Sequence, residues 1–573
     1  MRNNGAQTRA WAFSVALAAL GTACACPYLR RFGIFEAAAF ALAGVCGRYT
    51  LTGRDRRLRG FSLAFGYAFA LCLLLGLRLD AAGSLGGAGA LWALIAPIGY
   101  APGAGALFVL AARGMGRARL SVRPGMSERR FFALAFAGML LCWLPCFLAF
   151  YPGIFSYDVA WQVVQGVEVP YNTYQPLFHT LLLNGLCWMG RRLGDVNTGV
   201  ALYSALQMGT MAAALAFSAS TLRRAGCRTS VCLCGLALAA LLPMHAVLSV
   251  STTKDPLFAA FALLLVTFLF RGARWPKARK KPLYWVGTIL STLLFCLVRN
   301  NGLHSLAIAL LLGLLLCFSS GKRAMCALLA GLALFGGVNA GLKAAFQAEP
   351  GKTSEMMSVP IQQMARVITL HPEWEEDAEV QALFIGEIKY NPSLSDPVKV
   401  IFRKEGNTPI SRAVRLWARM LARYPAEYVD AFAYLTRGWW DVRDKSHSVI
   451  YGEDDGYMHT NVLEGYGVER RSLWPALESL YIQAVTRNAY QRVPVYRLLF
   501  APALWVWLLV LLTMLAFYWR EREVALLCFV PLGVVLTMLL GPCCLVRYVY
   551  PVMLCVPALW GMLRARVALR HEQ

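Results

Sequence analysis

One stretch of this 573-residue chain gathers the residue types that group-transfer chemistry needs: residues 151–180, YPGIFSYDVAWQVVQGVEVPYNTYQPLFHT. Asp158 is a carboxylate suited to taking a proton from an attacking hydroxyl. Gln162 and Gln175 are amide partners for hydroxyl groups, and His179 suits a phosphate or sugar contact. Each has a plainer alternative. Asp158 precedes a helical-looking run, VAWQVVQG, where an acid caps a helix, and His179 can be an interfacial histidine bonded to a neighbour. Further charges stand in TKDPLF (Lys254), VRNNG (Arg299, Asn300) and RYVYP (Arg547, Tyr548). Asp255, just before Pro256, is explained by a helix N-terminus and its dipole. Lys254 is a cation at the wrong end of that dipole and is the better candidate for an anionic ligand. Arginine offers phosphate a bidentate fork, so a lipid phosphate near Lys254, Arg299 and Arg547 is electrostatically sensible.

These residues must be positioned by a membrane. The chain is 58% hydrophobic and 15% charged, and it repeats apolar runs long enough to cross a hydrocarbon core. The first run, Trp11 to Cys26, lacks a convincing cleavage site and reads as a span. Spans are expected at about 11–28, 32–47, 61–79, 90–112, 131–150, 198–220, 230–250, 256–270, 283–298, 303–319, 324–345, 498–518, 523–541 and 546–563. The run from Pro176 to Trp188 is ambiguous. If it crossed, every later basic loop, including RRAGCR and RGARWPKARKK, would fall outside, against the positive-inside rule. An interfacial helix near 176–192, within an outer loop at 151–197, resolves this. It leaves both termini cytoplasmic, with Arg30-Arg31 outside as a minor violation. Asp158, His179, Lys254, Arg299 and Arg547 then share the outer face. Charges at membrane depth are costly unless they face a cavity or partner, so their convergence predicts a polar site.

The net charge of +25 does not point to nucleic acid. Residues 346–497 hold 20 of the 31 acids but only 18 of the 56 Lys and Arg, leaving 38 bases in short loops between apolar runs. The fold class expected is an all-α polytopic membrane protein with about fourteen spans. Residues 1–130 form a four-span N-terminal module, 131–345 the core, 346–497 a mostly helical extracytoplasmic domain, and 498–573 three spans and a basic tail. The 17 cysteines lie mostly in apolar runs, where a thiol behaves as a small hydrophobe. Their spacing gives no zinc pattern. GEDDG (452–456), flanked by His447 and His459, lacks the EF-hand pattern and reads as a solvated acidic turn.

YPGIFSYD, QPLFHT, TKDPLF, SVPIQQMAR, NPSLSDPVK and RYVYP together resemble the GT-C superfamily of integral membrane glycosyltransferases, over roughly 131–563. The likeness is to proteins such as the protein O-mannosyltransferases and lipid A aminoarabinose transferases, and closest to an uncharacterised bacterial branch. It implies a polyprenyl-phosphate-linked sugar donor, transfer on the outer face of the plasma membrane, and a loop acid that acts as base or assists a metal. Carried over, Asp158 matches the loop acid, and Lys254, Arg299 and Arg547 hold donor phosphate. The family often pairs two acids in this loop. Here Val159 follows Asp158, so the use of a divalent cation stays open. Two other classes fit the composition. A lipid-linked glycan flippase or exporter needs a charged path through the spans. A non-catalytic envelope assembly protein would use 346–497 as its binding part.

Overall fold

The computed structural model describes residues 2–25, 34–52, 55–87, 90–121, 125–155, 157–351, 357–402, 410–444, 467–485 and 492–572. GEDDG, His447, His459 and Arg30-Arg31 lie outside these residues, as does the side chain of Asp158. Among the described residues the fold is helical, and strand pairing is limited to isolated bridges.

The first four helices, α1 (Arg2–Ala25), α2 (Ile34–Leu51), α3 (Arg56–Ala82) and α4 (Ala90–Gly116), pack on one another. Asp55 caps α3 by accepting from the Arg57 amide at 2.8 Å. Next come α5 (Glu128–Ala149), the short α6 (Tyr157–Val163) and α7 (Leu177–Leu193). They are followed by α8 (Val196–Arg224), α9 (Thr229–Leu241), α10 (Pro243–Ser249), α11 (Lys254–Arg274) and α12 (Pro282–Val298). Two membrane-length segments follow, α13 (Asn301–Phe318) and α14 (Gly321–Ala345). The space beside Gly313 of α13 is filled by Met325 of α14. A straight helix would hold those two positions about 18 Å apart, so the chain doubles back between them.

A small helical region with its own core comes next, built on α15 (Ser358–Leu370), α16 (Ile410–Arg423) and α17 (Pro425–Thr436). Ile361, Met364 and Ile368 of α15 meet Leu416 and Met420 of α16 and Tyr428 of α17. The region ties back to α3 through Arg437, which pairs with Asp80 (2.6 Å) and Asp441 (2.9 Å). The chain closes with α18 (Pro502–Tyr518), α19 (Arg522–Met538) and α20 (Val546–Glu572).

Eight helices among the described residues are long and apolar enough to cross a membrane, or nine if α9 and α10 count as one broken span. That pair corrects the single uninterrupted span expected at 230–250: the axis bends by 66° at Leu242–Pro243. Pro243 has no amide to give to the Ala239 carbonyl four residues before it, which accepts instead from Trp143 Nε1 at 3.3 Å. Farther on, the Gln207 side chain donates to the carbonyls of Leu248 (3.2 Å) and Ser249 (3.0 Å) at the end of α10.

α11 is the axis of the bundle. In its most apolar window 78% of residues are buried, against 22% in α5, and α8, α12, α19 and α20 surround it. Whatever stands at its N-terminus is therefore held on all sides. Small residues allow the close approaches that membrane helices need. Gly199 of α8 lies against the Leu186 carbonyl of α7, where a Cβ would clash.

Candidate functional site

Several helix ends meet at one end of the bundle. α11 starts with Lys254 and Asp255, behind Thr253, whose hydroxyl accepts from the Asp255 amide at 3.4 Å. Arg299 leaves α12 in extended conformation, and α13 begins two residues later. Arg547 and Tyr548 lie in the first turn of α20. Asp255 is fully buried. Its carboxylate is ion-paired with the Arg299 guanidinium and stands 3.9 Å from Arg547 Nε. Arg299 lies between two rings, 4.7 Å from the Tyr548 centroid and 5.7 Å from that of Phe258, and its Nε donates to Asn301 Oδ1 at 2.9 Å. Arg547 stands 5.1 Å from the Tyr548 ring. The Lys254 ammonium donates to Gln175 Oε1.

Two arginines thus converge on one buried carboxylate, and a lysine stands next to it in the chain. The Arg299 and Arg547 side chains, 9% and 12% exposed, are fixed cations in a largely desolvated place, and such groups suit an anionic ligand. Reading Asp255 as a helix-dipole partner alone is incomplete: it is the counter-charge that brings Arg299 and Arg547 together.

The 151–180 stretch is pinned over this cluster at three places. Ile154 exchanges backbone hydrogen bonds with the 250–252 turn just before α11, donating its N–H to Val250 O at 3.0 Å and accepting at its carbonyl from Thr252 N at 2.9 Å. Asn300 donates to the carbonyls of Thr173 and Tyr174, both at 3.3 Å, and Thr173 N bonds Glu349 O at 2.9 Å. The third pin is a buried side-chain chain. Gln162 Nε2 lies 2.9 Å from His179 Nδ1 and 3.0 Å from Thr180 Oγ1. His179 Nε2 lies 2.6 Å from the Tyr203 hydroxyl, which donates to Gln207 Oε1 at 3.1 Å. The donor order assigns the Nε2–H tautomer to His179, since the Gln162 amide can only donate at that distance and Nδ1 must accept.

Gln162 is 1% and His179 0% exposed. Their polar atoms serve protein partners in this structure. They hold α6 against α7 and α8. Asp158 stands in α6 one helical turn before Gln162.

The structure therefore brings together Gln175, Lys254, Arg299, Arg547 and Tyr548, with Asn300 tying down the loop, and places Gln162 and His179 beneath it. Three residues that sequence reasoning passed over belong with them. Tyr203 and Gln207 are polar positions in the middle of an apolar span, a detectable signal. Lys399, 8% exposed and 3.0 Å from Asp396, comes from the NPSLSDPVK segment. That segment docks on the turn before Arg547, with Ser395 N bonded to Pro542 O at 3.0 Å and Leu394 bridging Cys543. Burial pushes the Cys543 thiol up to about 12; Asp396 adds to the rise, and Arg547 and Lys399 oppose it. Among the described residues no group of three His, Cys, Asp or Glu side chains is placed to hold a metal ion.

A model of a family of unknown function, DUF6020, matches residues 170–572. The match takes in Gln175, His179, Lys254, Arg299, Asn300, Arg547 and Tyr548, and begins after Asp158 and Gln162. No curated protein and no solved structure matches the chain.

Proposed function

The chain belongs to the DUF6020 family, whose function is unknown, and we propose that it is a membrane glycosyltransferase of the GT-C type. In this reading it moves a sugar from a polyprenyl-phosphate donor to an envelope glycan, lipid or protein on the outer face of the plasma membrane. The observation that carries the reading is the convergence of Arg299 and Arg547 on one buried carboxylate, with Lys254 beside it, beneath the loop that carries Asp158.

The chemistry follows from the charges. Asp158 takes the proton of an acceptor hydroxyl, whose oxygen attacks the anomeric carbon. The bond from that carbon to the donor phosphate oxygen breaks, and the lipid phosphate leaves with the electron pair. Lys254, Arg299 and Arg547 stabilise the charge that develops on it, which is where fixed cations help a transfer most. Attack opposite the leaving group inverts the anomeric centre. Lys254, Arg299 and Arg547 serve this role with or without a divalent cation.

The same reading counts fourteen spans. α1, α2, α12, α18 and α19, together with α9–α10 as one broken span, join the eight long helices. The amphipathic α7 lies in the interface. Both termini are then cytoplasmic, because α11 has Lys254 at its outer end and Arg271 and Arg274 at its inner end.

The test is donor binding. Full-length protein in nanodiscs is titrated with undecaprenyl phosphate. Lys254→Met and Arg547→Gln should each weaken binding roughly tenfold or more, the loss of one charge-assisted contact, with the fold intact by thermal unfolding. Unchanged binding in both variants would remove the donor site from this cluster.

A further inference from the structure

A second site lies away from that cluster. A cavity of about 340 Å³ runs between α8, α9 and α20. Most of its wall is apolar, with Leu222, Leu236, Met553 and Pro557 among its residues. Leu238, on its α9 side, is 67% exposed, so the space opens sideways from the bundle toward the hydrocarbon layer.

The charge is at one end only. Arg119, Arg228 and Arg564 line the cavity there. Arg547 and Arg564 are seventeen residues apart on α20, so this end stands about 26 Å along the helix from the cluster around Asp255. Among the described residues no carboxylate pairs with any of the three arginines. Arg119 gives one N–H to the Ala118 carbonyl at 3.3 Å, and Glu572, at the same end, accepts from the Leu120 amide at 3.4 Å. At the other end His245 Nδ1 lies 2.9 Å from the Tyr550 hydroxyl, which occupies that nitrogen. The lining of α20 extends from Met553 to Ala568, about 22 Å by helical rise. That exceeds half of a hydrocarbon core about 30 Å thick.

We propose that this cavity binds a glycerophospholipid with an anionic headgroup. Its phosphate sits on Arg228 and Arg564, and an acyl chain lies along α20 toward His245. The shape of the charge selects this ligand. A soluble sugar or nucleotide would leave the apolar wall facing water. A zwitterionic lipid gains less from three like charges than an anionic one, and basic pockets between membrane helices are places where acidic headgroups bind. A transport path would need charge along its length, which this wall lacks. The bound lipid braces the bent α9–α10 pair against α20, whose first turn carries Arg547. The proposal does not depend on the transferase reading.

Full-length protein purified in nonionic detergent is mixed with micelles doped with palmitoyl-oleoyl phosphatidylglycerol or palmitoyl-oleoyl phosphatidylcholine. Native mass spectrometry counts the bound lipid. Phosphatidylglycerol should bind in preference, as a single retained molecule. The double variant Arg228→Gln/Arg564→Gln should lose affinity for it on the order of thirtyfold, toward parity with phosphatidylcholine. Gly235→Phe should reduce binding of both lipids. Gly235 lines the cavity and a Cβ there meets nothing within 4 Å, so this variant should fold, checked by its lipid-free unfolding midpoint. Equal retention of the two lipids by the unaltered protein overturns the proposal. So does a phosphatidylglycerol preference that survives Arg228→Gln/Arg564→Gln, or undiminished binding of both lipids by Gly235→Phe.

Discussion

Replacing Tyr203 by Phe deletes one oxygen from the centre of the buried chain that holds the 151–180 stretch. That hydroxyl stands 2.6 Å from His179 Nε2, donates to Gln207 Oε1 at 3.1 Å, and reaches the Thr253 carbonyl at 3.3 Å. Tyr203, His179 and Gln207 are all fully buried. A void the size of one hydroxyl is too small to admit a replacing water. A buried polar group that loses its partner costs about 1–3 kcal/mol. Two well-placed contacts are lost here and one long one, so the expected destabilisation is roughly 2–4 kcal/mol. Denaturant titration of the full-length protein in mixed micelles measures it. A cycle with His179→Phe should show coupling of about 1–2 kcal/mol, because the two substitutions remove the same contact. Hydrogen exchange supplies a second readout: amides of α6 should lose protection while those of α11 keep theirs. A Tyr203→Phe protein within about 0.5 kcal/mol of the parent, and additive with His179→Phe, would refute the claim that this chain positions the loop.

Two further outcomes follow from the same geometry. Asp255→Asn removes the buried counter-charge of Arg299 and Arg547, whose side chains are only 9% and 12% exposed. It should destabilise by about 3–5 kcal/mol, read as a lower unfolding midpoint, and Arg299→Met should recover part of the loss in the double variant. Asp195 caps α8, and the Thr198 amide, followed by the Thr198 hydroxyl, holds its carboxyl below the usual carboxylate range. Its folded value is lowered, so its contribution to stability is complete above the unfolded value of about 4 and is lost as pH falls through the folded one. Stability curves of Asp195→Asn should be flatter than the parent's on the acid side only.

The cations of the site were legible because each is a charge at the end of an apolar run, a placement that demands an explanation. Asp255 was not. Its position before Pro256 already had a sufficient local cause, and only the fold reveals that two arginines from distant spans converge on it. Lys399 was hidden for a related reason: 148 positions separate it from Arg547 in the chain, and the docking of Ser395 on Pro542 alone brings them near. The bend at Pro243 shows how far a proline signal goes. α4 keeps Pro97 and Pro102, and α20 keeps Pro551 and Pro557, inside continuous helices. At the α9–α10 break the Ala239 carbonyl that Pro243 cannot serve is taken up by Trp143 from another span. Apolar periodicity locates the spans, but a partner so far along the chain leaves no mark in it.

The most direct test of the proposed function is sugar transfer by Asp158→Asn. Full-length parent and variant proteins, reconstituted with isolated envelope membranes as acceptor, are given a panel of radiolabelled undecaprenyl-phosphate hexoses and pentoses. The parent should move label from at least one donor into membrane material. Asp158→Asn, with an unchanged unfolding midpoint and unchanged undecaprenyl phosphate binding, should lose that transfer by roughly a hundredfold or more, the share a positioned general base supplies. Transfer at the parental rate by the Asp158→Asn variant, or no transfer from any donor by the parent, would contradict the account.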